Sequence, residues 1–347
     1  MTVDLGKFGS RFVSNNKEFN RYIKLKYIKF FFLLSTFLLL PHTYFAKEYN
    51  RSFIIWGTNF DLQIKSNLDK KSLNLISEES VNILNRLNII FNNYQKLSEI
   101  TIFNESKINS EISISPEFVE LLIESKKYHE ISDGYFDITI GNLTSKFDYK
   151  NVDKSIQIKK NQFDCSGWEN ILLVKNNSAL IKKKNCINID FGGIAEGYAL
   201  KKIIKFINQS GIDDAIINFG GNISTLSKNQ DWEVYINYPS KEPKPFKKIK
   251  LNNLSISTSS LYGKSIKING DKMSHIFNPK NKLFLKYKNL SVSVISDDPI
   301  YADAMSTALI SMDYSDMEAF IEKNNIKVIV LGEKDGKGEV LYISDGI

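Results

Sequence analysis

The chain has 347 residues, 42% of them hydrophobic and 24% charged, a globular composition that excludes disordered, collagen-like and disulfide-stapled miniprotein classes. The formal charge of +7 is uneven: residues 1–46 carry seven Lys/Arg against two Asp/Glu, so the body that follows is near neutral. A near-neutral body lacks the electrostatic footprint of a nucleic-acid binder.

Lys24, Lys26 and Lys29 precede an apolar run from Phe30 to Leu40 that stops at Pro41. The run is far short of the ~20 apolar residues a membrane span needs, and basic residues followed by such a run form a signal peptide pattern. Residues 1–46 are therefore expected to be a signal peptide, cut after Ala46, or an uncleaved N-terminal membrane anchor. Either places the remaining domain, 50–347, in an exported compartment: periplasmic, or inner-membrane-anchored and facing the periplasm.

Ser52 to Ile64 reads as a strand interrupted at Trp56-Gly57-Thr58, where the glycine suggests a bulge or the close approach of a ligand. Val81, Leu84, Leu87 and Phe91 give helical spacing over Glu78–Tyr94. Ser98-Glu99-Ile100 and Phe103-Asn104 read as a polar loop. A helix is expected over Pro116–His129, ending in Asp133-Gly134-Tyr135-Phe136-Asp137-Ile138-Thr139, turn chemistry that runs into a short strand. Ile171–Val174 and Ala179–Ile181 make a hairpin around Asn176-Asn177-Ser178.

The central stretch is Ile187-Asn188-Ile189-Asp190-Phe191-Gly192-Gly193-Ile194-Ala195-Glu196-Gly197. Ile187 and Ile189 alternate as in a strand; two glycines break it; Ala199, Ile203 and Ile207 then share one helical stripe. A strand, a Gly-Gly turn and a helix start present bare backbone N–H groups to an anion, and Asp190 stands where a carboxylate can meet a metal or a ribose hydroxyl. The competing reading is a turn whose glycines only relieve backbone strain.

Asp214–Phe219 reads as a buried strand closed by Gly220-Gly221-Asn222, and Trp232–Ile236 as another. Ser240–Lys250, rich in Lys and Pro, reads as a surface loop. Ser255–Ser260, the short segment around Ser274-His275-Ile276, and Ser291–Ile295 read as strands, and Tyr301–Met312 as a helix. On that helix Asp303 and Thr307 are four apart and share a face, a pair of hard oxygen ligands suited to Mg²⁺. The alternative is an exposed Asp and a Thr bonded back to its own helix. Cys165 and Cys186 are read as buried small hydrophobes in preference to a disulfide, which export would permit. Helices and strands follow no strict alternation, so the fold class is α+β with a mixed or antiparallel sheet.

Taken together, Trp56-Gly57-Thr58, Ser98-Glu99-Ile100, Gly134 to Thr139, Asp190 to Ala199, Asn218 to Asn222, Thr258-Ser259, Ser274-His275-Ile276 and Ala302-Asp303-Ala304 with Thr307 resemble the ApbE family of FAD:protein FMN transferases. The resemblance implies a T-fold-related ApbE-like domain over about residues 50–345. It implies FAD as a substrate split at its pyrophosphate, with FMN moved to a Thr or Ser hydroxyl of an exported flavoprotein and AMP released. Subunits of the sodium-pumping NADH:quinone reductase and of the Rnf complex are the implied acceptors. It further implies Mg²⁺ held by Asp303, Thr307 and the main-chain oxygen of Gly193, where glycine itself is not demanded. Asp190 and Glu196 are implied to contact FAD, with Trp56, Tyr94, Tyr135, Phe136, Asp137 and Ile276 lining the flavin and adenine pockets. His275 is the candidate general base. Four departures stand out: Trp56 for the usual Met, Glu196 for a frequent Lys, Ser260 for Gly, and no Thr-Gly after Pro279. Glu196 and Ser260 keep open a non-catalytic FAD-binding protein, and the resemblance itself leaves a second enzyme reading, a Mg²⁺-dependent FAD pyrophosphatase that hands FMN to water.

Overall fold

The computed structural model describes residues 47–145, 155–156, 165–240, 244–263, 265–268 and 270–347. The expected signal peptide or anchor, 1–46, lies outside them. Strands β1 (Lys47–Ile55) and β2 (Thr58–Ser66) form a hairpin with Ile55 opposite Thr58. Trp56-Gly57 is thus a two-residue turn and not a bulge. Both residues have positive φ, 55° and 76°, the mirror-image turn that matches strand twist. A bulky side chain rarely accepts that backbone. Trp56 is held there by packing on Phe219, ring centroids 5.2 Å apart, and by its indole N–H donating to the Leu84 carbonyl at 3.0 Å.

Helix α1 (Lys70–Phe91) starts eight residues before the apolar spacing predicts, because Asp69 caps it by accepting from the Lys71 and Ser72 amides. The expected polar loop after it contains helix α2 (Glu99–Glu105), capped by Ser98 and anchored by buried Ile100 and Phe103. Two turns are too short to show a period. The two-residue strand β3 (Ile112–Ser113), helix α3 (Pro116–Ile131) and the single turn α4 (Gly141–Thr144) follow. Residues 134–139 are turns and not a strand, and 187–189 also lacks a ladder. The two segments meet through one parallel bridge, Ile140 to Asn188, and through the Asp190 amide donating to the Ile138 carbonyl at 2.8 Å.

Strands β4 (Ser155–Ile156), β5 (Ile171–Val174) and β6 (Ala179–Lys182), helix α5 (Ala195–Gln209), and strands β7 (Asp214–Phe219), β8 (Asn222–Leu226) and β9 (Trp232–Tyr238) come next. The predicted surface loop at 240–250 is largely strand β10 (Lys244–Leu251), antiparallel to β9. Its lysines crowd the outer face and mask the inward Ile249 and Leu251. Strands β11 (Ser255–Ser260), β12 (Ser265–Ile268), β13 (Asp271–Asn278), β14 (Leu283–Lys286) and β15 (Leu290–Ser296) precede helix α6 (Pro299–Ile310). No element is expected from the sequence pattern beyond Met312. There the chain forms helix α7 (Tyr314–Asn324) and strands β16 (Val328–Lys334) and β17 (Lys337–Ile343).

The main sheet runs β1-β2-β7-β8-β11-β15-β16-β17, antiparallel throughout, as expected for this α+β class. A smaller sheet, β14-β13-β12-β4, contains one parallel pair. The main sheet is covered on both faces. Val292, Val294, Val328 and Val330 join the helices in the large core, while Ile295, Ile329 and Leu331 pack with Val234, Ile236, Ile249 and Leu251. Helix α6 is buried at ten of its twelve positions, so it shows no amphipathic stripe, and its polar Asp303 and Ser306 are enclosed with the rest.

Cys165 and Cys186 are joined in a disulfide, against the expectation of two separate hydrophobes. Both are small and apolar enough to suit a core, so residue type alone does not reveal the pairing. The bond ties the segment before Trp168 to the start of 187–190. Reduction with dithiothreitol is expected to lower stability by about 3 kcal/mol, read as a drop in melting temperature that Cys186→Ser reproduces without reductant.

Candidate functional site

The site begins where α5 crosses α6. A Cβ at Gly197 would stand 2.7 Å from the Asp303 Cβ and closer still to the Pro299 carbonyl, so the helices meet backbone to backbone. This contact lets the Gly197 amide donate to Asp303 Oδ2 at 2.8 Å. The second carboxylate oxygen accepts from Asn222 Nδ2 at 3.4 Å, and the same amide donates to Glu196 Oε2 at 2.8 Å. Asn222 thus sits between two carboxylates. Gly220 is forced here as well: its φ is 65°, and a Cβ would lie 2.6 Å from Glu196 Oε2. Burial pushes the Asp303 carboxyl from its ordinary 3.8 up to about 7, against the opposing pull of the Gly197 and Asn222 donors.

One turn along α6, Thr307 Oγ1 lies 3.3 Å from Ser259 Oγ, which is 2.9 Å from Ser306 Oγ. A Cβ at Gly193 would meet Thr307 Oγ1 and Cγ2 at 2.9 Å. A main-chain ligand does not itself demand glycine; the structure favours it all the same, because a side chain at 193 would crowd Thr307. Asp190 closes the turn, accepting from the Gly192 amide at 2.9 Å, from Asn93 Nδ2 at 3.1 Å and from the Thr144 hydroxyl.

Asp190, Gly193, Glu196, Asn222, Ser259, Asp303 and Thr307 line one cavity of about 490 Å³. Of the residues predicted for the site, it brings together Tyr135, Phe136, Asp137, Asp190, Gly193, Glu196, His275, Ile276, Asp303 and Thr307. His275 and Ile276 come from β13 where its pairing with β14 is irregular, between Met273 and Phe277. Asp137 accepts from the Thr139 amide at 2.8 Å, and its burial raises the carboxyl above the ordinary range. Two predicted residues stand outside the cavity lining. Trp56 packs on Phe219 and α1, and Tyr94 projects 76% exposed from the turn after α1.

Sequence reasoning assigned no role to Asn222, Ser259, Asn93 or His129. Asn222 closes the Asn218 to Asn222 block and Ser259 lies in Thr258-Ser259, so both stand in motifs the sequence marks; Asn93 and His129 carry no such signal. His129 Nδ1 bonds the Phe136 carbonyl at 2.9 Å and fixes the 133–137 turn. Among the described residues no three His, Cys, Asp or Glu side chains converge to hold a metal. Around Asp303 the side-chain donors are carboxylates and hydroxyls, Glu196, Ser259 and Thr307 among them, all hard oxygens of the kind that fit Mg²⁺.

Two outcomes follow from this geometry. Gly197→Ala is expected to push α5 off α6 and lower stability by about 1–3 kcal/mol in urea unfolding. The folded state holds the Asp303 proton to higher pH than the unfolded chain, so this group's contribution is full below about pH 4 and is lost as pH rises through about 7. The ligand-free Asp303→Asn variant is therefore expected to show a flatter dependence of melting temperature on pH across that window than the wild type.

Comparison with known proteins places this architecture. The sequence model of the ApbE family matches residues 56–330. An FAD:protein FMN transferase of Chlamydia muridarum is 30% identical over 233 residues, covering 65% of this chain and 72% of the relative. One of Buchnera aphidicola is 27% identical over 260 residues, covering 71% and 75%. Among solved structures, the flavin transferase ApbE from Vibrio cholerae superposes with a TM-score of 0.73 at 21% identity, covering 86% of this chain and 98% of that one. The apo flavinyl transferase ApbE of Pseudomonas stutzeri gives 0.75 at 19%, covering 87% and 96%. The chain belongs to the ApbE family.

Proposed function

We propose that this protein is an FAD:protein FMN transferase that moves FMN from FAD to a Thr or Ser hydroxyl of an exported flavoprotein and releases AMP. The observation that carries the reading is the single cavity in which Asp303, Thr307, the Gly193 main chain and His275 converge. The names of its relatives support it.

Asp303, Thr307 and the Gly193 carbonyl are the residues that would hold Mg²⁺. When bound, that ion neutralises charge on the diphosphate oxygens. The protein's own share is positional. Gly197 and Asn222 fix the Asp303 carboxylate in one orientation. The Gly192-Gly193 turn leaves room for a diphosphate to approach the N-terminus of α5, where backbone N–H groups favour an anion. Tyr135, Phe136 and Ile276 supply flat and apolar surface for the ring systems. Glu196 brings negative charge, so its place is beside a cation or a nucleoside hydroxyl and not a phosphate. His275 takes the proton from the acceptor hydroxyl as that oxygen bonds the FMN phosphorus. The bond from that phosphorus to the bridging oxygen breaks, and AMP leaves with the oxygen.

We place the protein in an exported, oxidising compartment. Its basic and apolar N-terminus and the Cys165–Cys186 disulfide support this.

The deciding experiment incubates purified protein with FAD, Mg²⁺ and a candidate acceptor flavoprotein. An acid-stable fluorescent flavin band on the acceptor, with stoichiometric AMP, is expected; AMP without a band makes the protein a FAD pyrophosphatase, and neither product makes it a flavin binder. Asp303→Ala is expected to abolish both products. His275→Asn is expected to slow transfer by about 10²–10⁴-fold while FAD binding stays close to wild type.

A further inference from the structure

Lys182, at the end of β6, is 1% exposed and among the largest fully buried side chains. Its Nζ donates to the Asn104 carbonyl at 2.7 Å and the Asn185 carbonyl at 3.2 Å; among the described residues no carboxylate pairs with it. An ammonium buried without a counter-ion is costly, and Met would fill the same space without that penalty. Part of the penalty is offset because Asn104 lies at the C-terminal end of α2, the negative end of the helix dipole.

What the ammonium holds is informative. Asn104 Oδ1 accepts from the Ile189 amide at 2.7 Å, and its Nδ2 donates to the Ile189 carbonyl at 2.9 Å. This side chain replaces the strand neighbour that 187–190 lacks on that side. The same Nδ2 donates to Asn93 Oδ1 at 3.1 Å, and Asn93 donates to Asp190. Asp190 orders the Gly192 amide, and Gly193 rests on Thr307. A continuous run of hydrogen bonds thus joins the buried charge to the cavity wall.

We propose that Lys182 is a positioning residue: by fixing the Asn104 carbonyl it holds the Asn104 amide against Ile189 and so sets the Asp190–Gly193 turn. The functional consequence, an FAD site assembled by a buried cation outside the cavity, rests on the transferase reading.

The test uses the full chain with Lys182→Met, Asn104→Ala and the double variant. Amide hydrogen exchange is read over residues 187–193, with α6 and β15 as internal references, and FAD binding is read from flavin fluorescence with Mg²⁺. Lys182→Met is expected to speed exchange in 187–193 by about tenfold with the references unchanged, and to weaken FAD binding by about tenfold. The double variant is expected to be no worse than Asn104→Ala alone, because the two act through one path. A uniform rise across the domain, unchanged exchange in 187–193, or additive effects in the double variant would overturn the proposal. Asn104→Ala leaves the buried charge in place, so it decides the matter if Lys182→Met does not fold: wild-type exchange in 187–193 for that variant sinks the idea. Exchange is measured without FAD, so a wild type that fails to bind FAD defeats the transferase reading while the exchange data still judge the role of Lys182.

Discussion

The contact of α5 with α6 at Gly197 is the constraint on which the site depends. Two helices can bring a backbone amide to a buried carboxylate only when no Cβ stands between them. That geometry fixes Asp303 in the cavity lining. Asn222 and Glu196 then follow, since one amide serves both acids. Burial at this depth raises the Asp303 carboxyl even though the Gly197 and Asn222 donors pull it the other way.

The opposite wall is made differently. Residues 187–193 have no strand ladder, yet they carry the turn that faces Thr307. Three separate devices stand in for a sheet: the bridge to Ile140, the Asn104 amide on Ile189, and the disulfide at Cys186. A segment held by side chains and one cross-link can take a path that a regular strand forbids. Gly141 shows how tight that path is, since a Cβ there would lie 2.8 Å from the Asn188 carbonyl oxygen.

Much of this was legible from the chain. The apolar stripe Ala199, Ile203, Ile207 and the buried strand Asp214–Phe219 follow from period alone, and the ordered motifs point to a cavity that collects ten of the twelve residues named for it. The misses have physical causes. In β10, lysines on the outer face outweigh two inward aliphatics. Helix α2 is shorter than its own period can reveal. Trp56 occupies a left-handed turn that its size argues against, and only the packing of Phe219 and α1 makes that turn tolerable. The hairpin strand read from the sequence stops at Ile181, and nothing local announces that Lys182 beside it is buried on the Asn104 and Asn185 carbonyls.

The strand order of the main sheet also shapes how the molecule comes into being. β2 lies beside β7, with Leu62 facing Ile217, so the N-terminal hairpin must wait for a neighbour translated far later. Closing so long a loop is entropically unfavourable, and sheets dominated by distant pairings assemble slowly. The early hairpin therefore waits with its β2 edge unpaired, and α1, which follows it directly and bonds it through Tyr49 with Asn74 and Trp56 with Leu84, is the first element able to cover its apolar face.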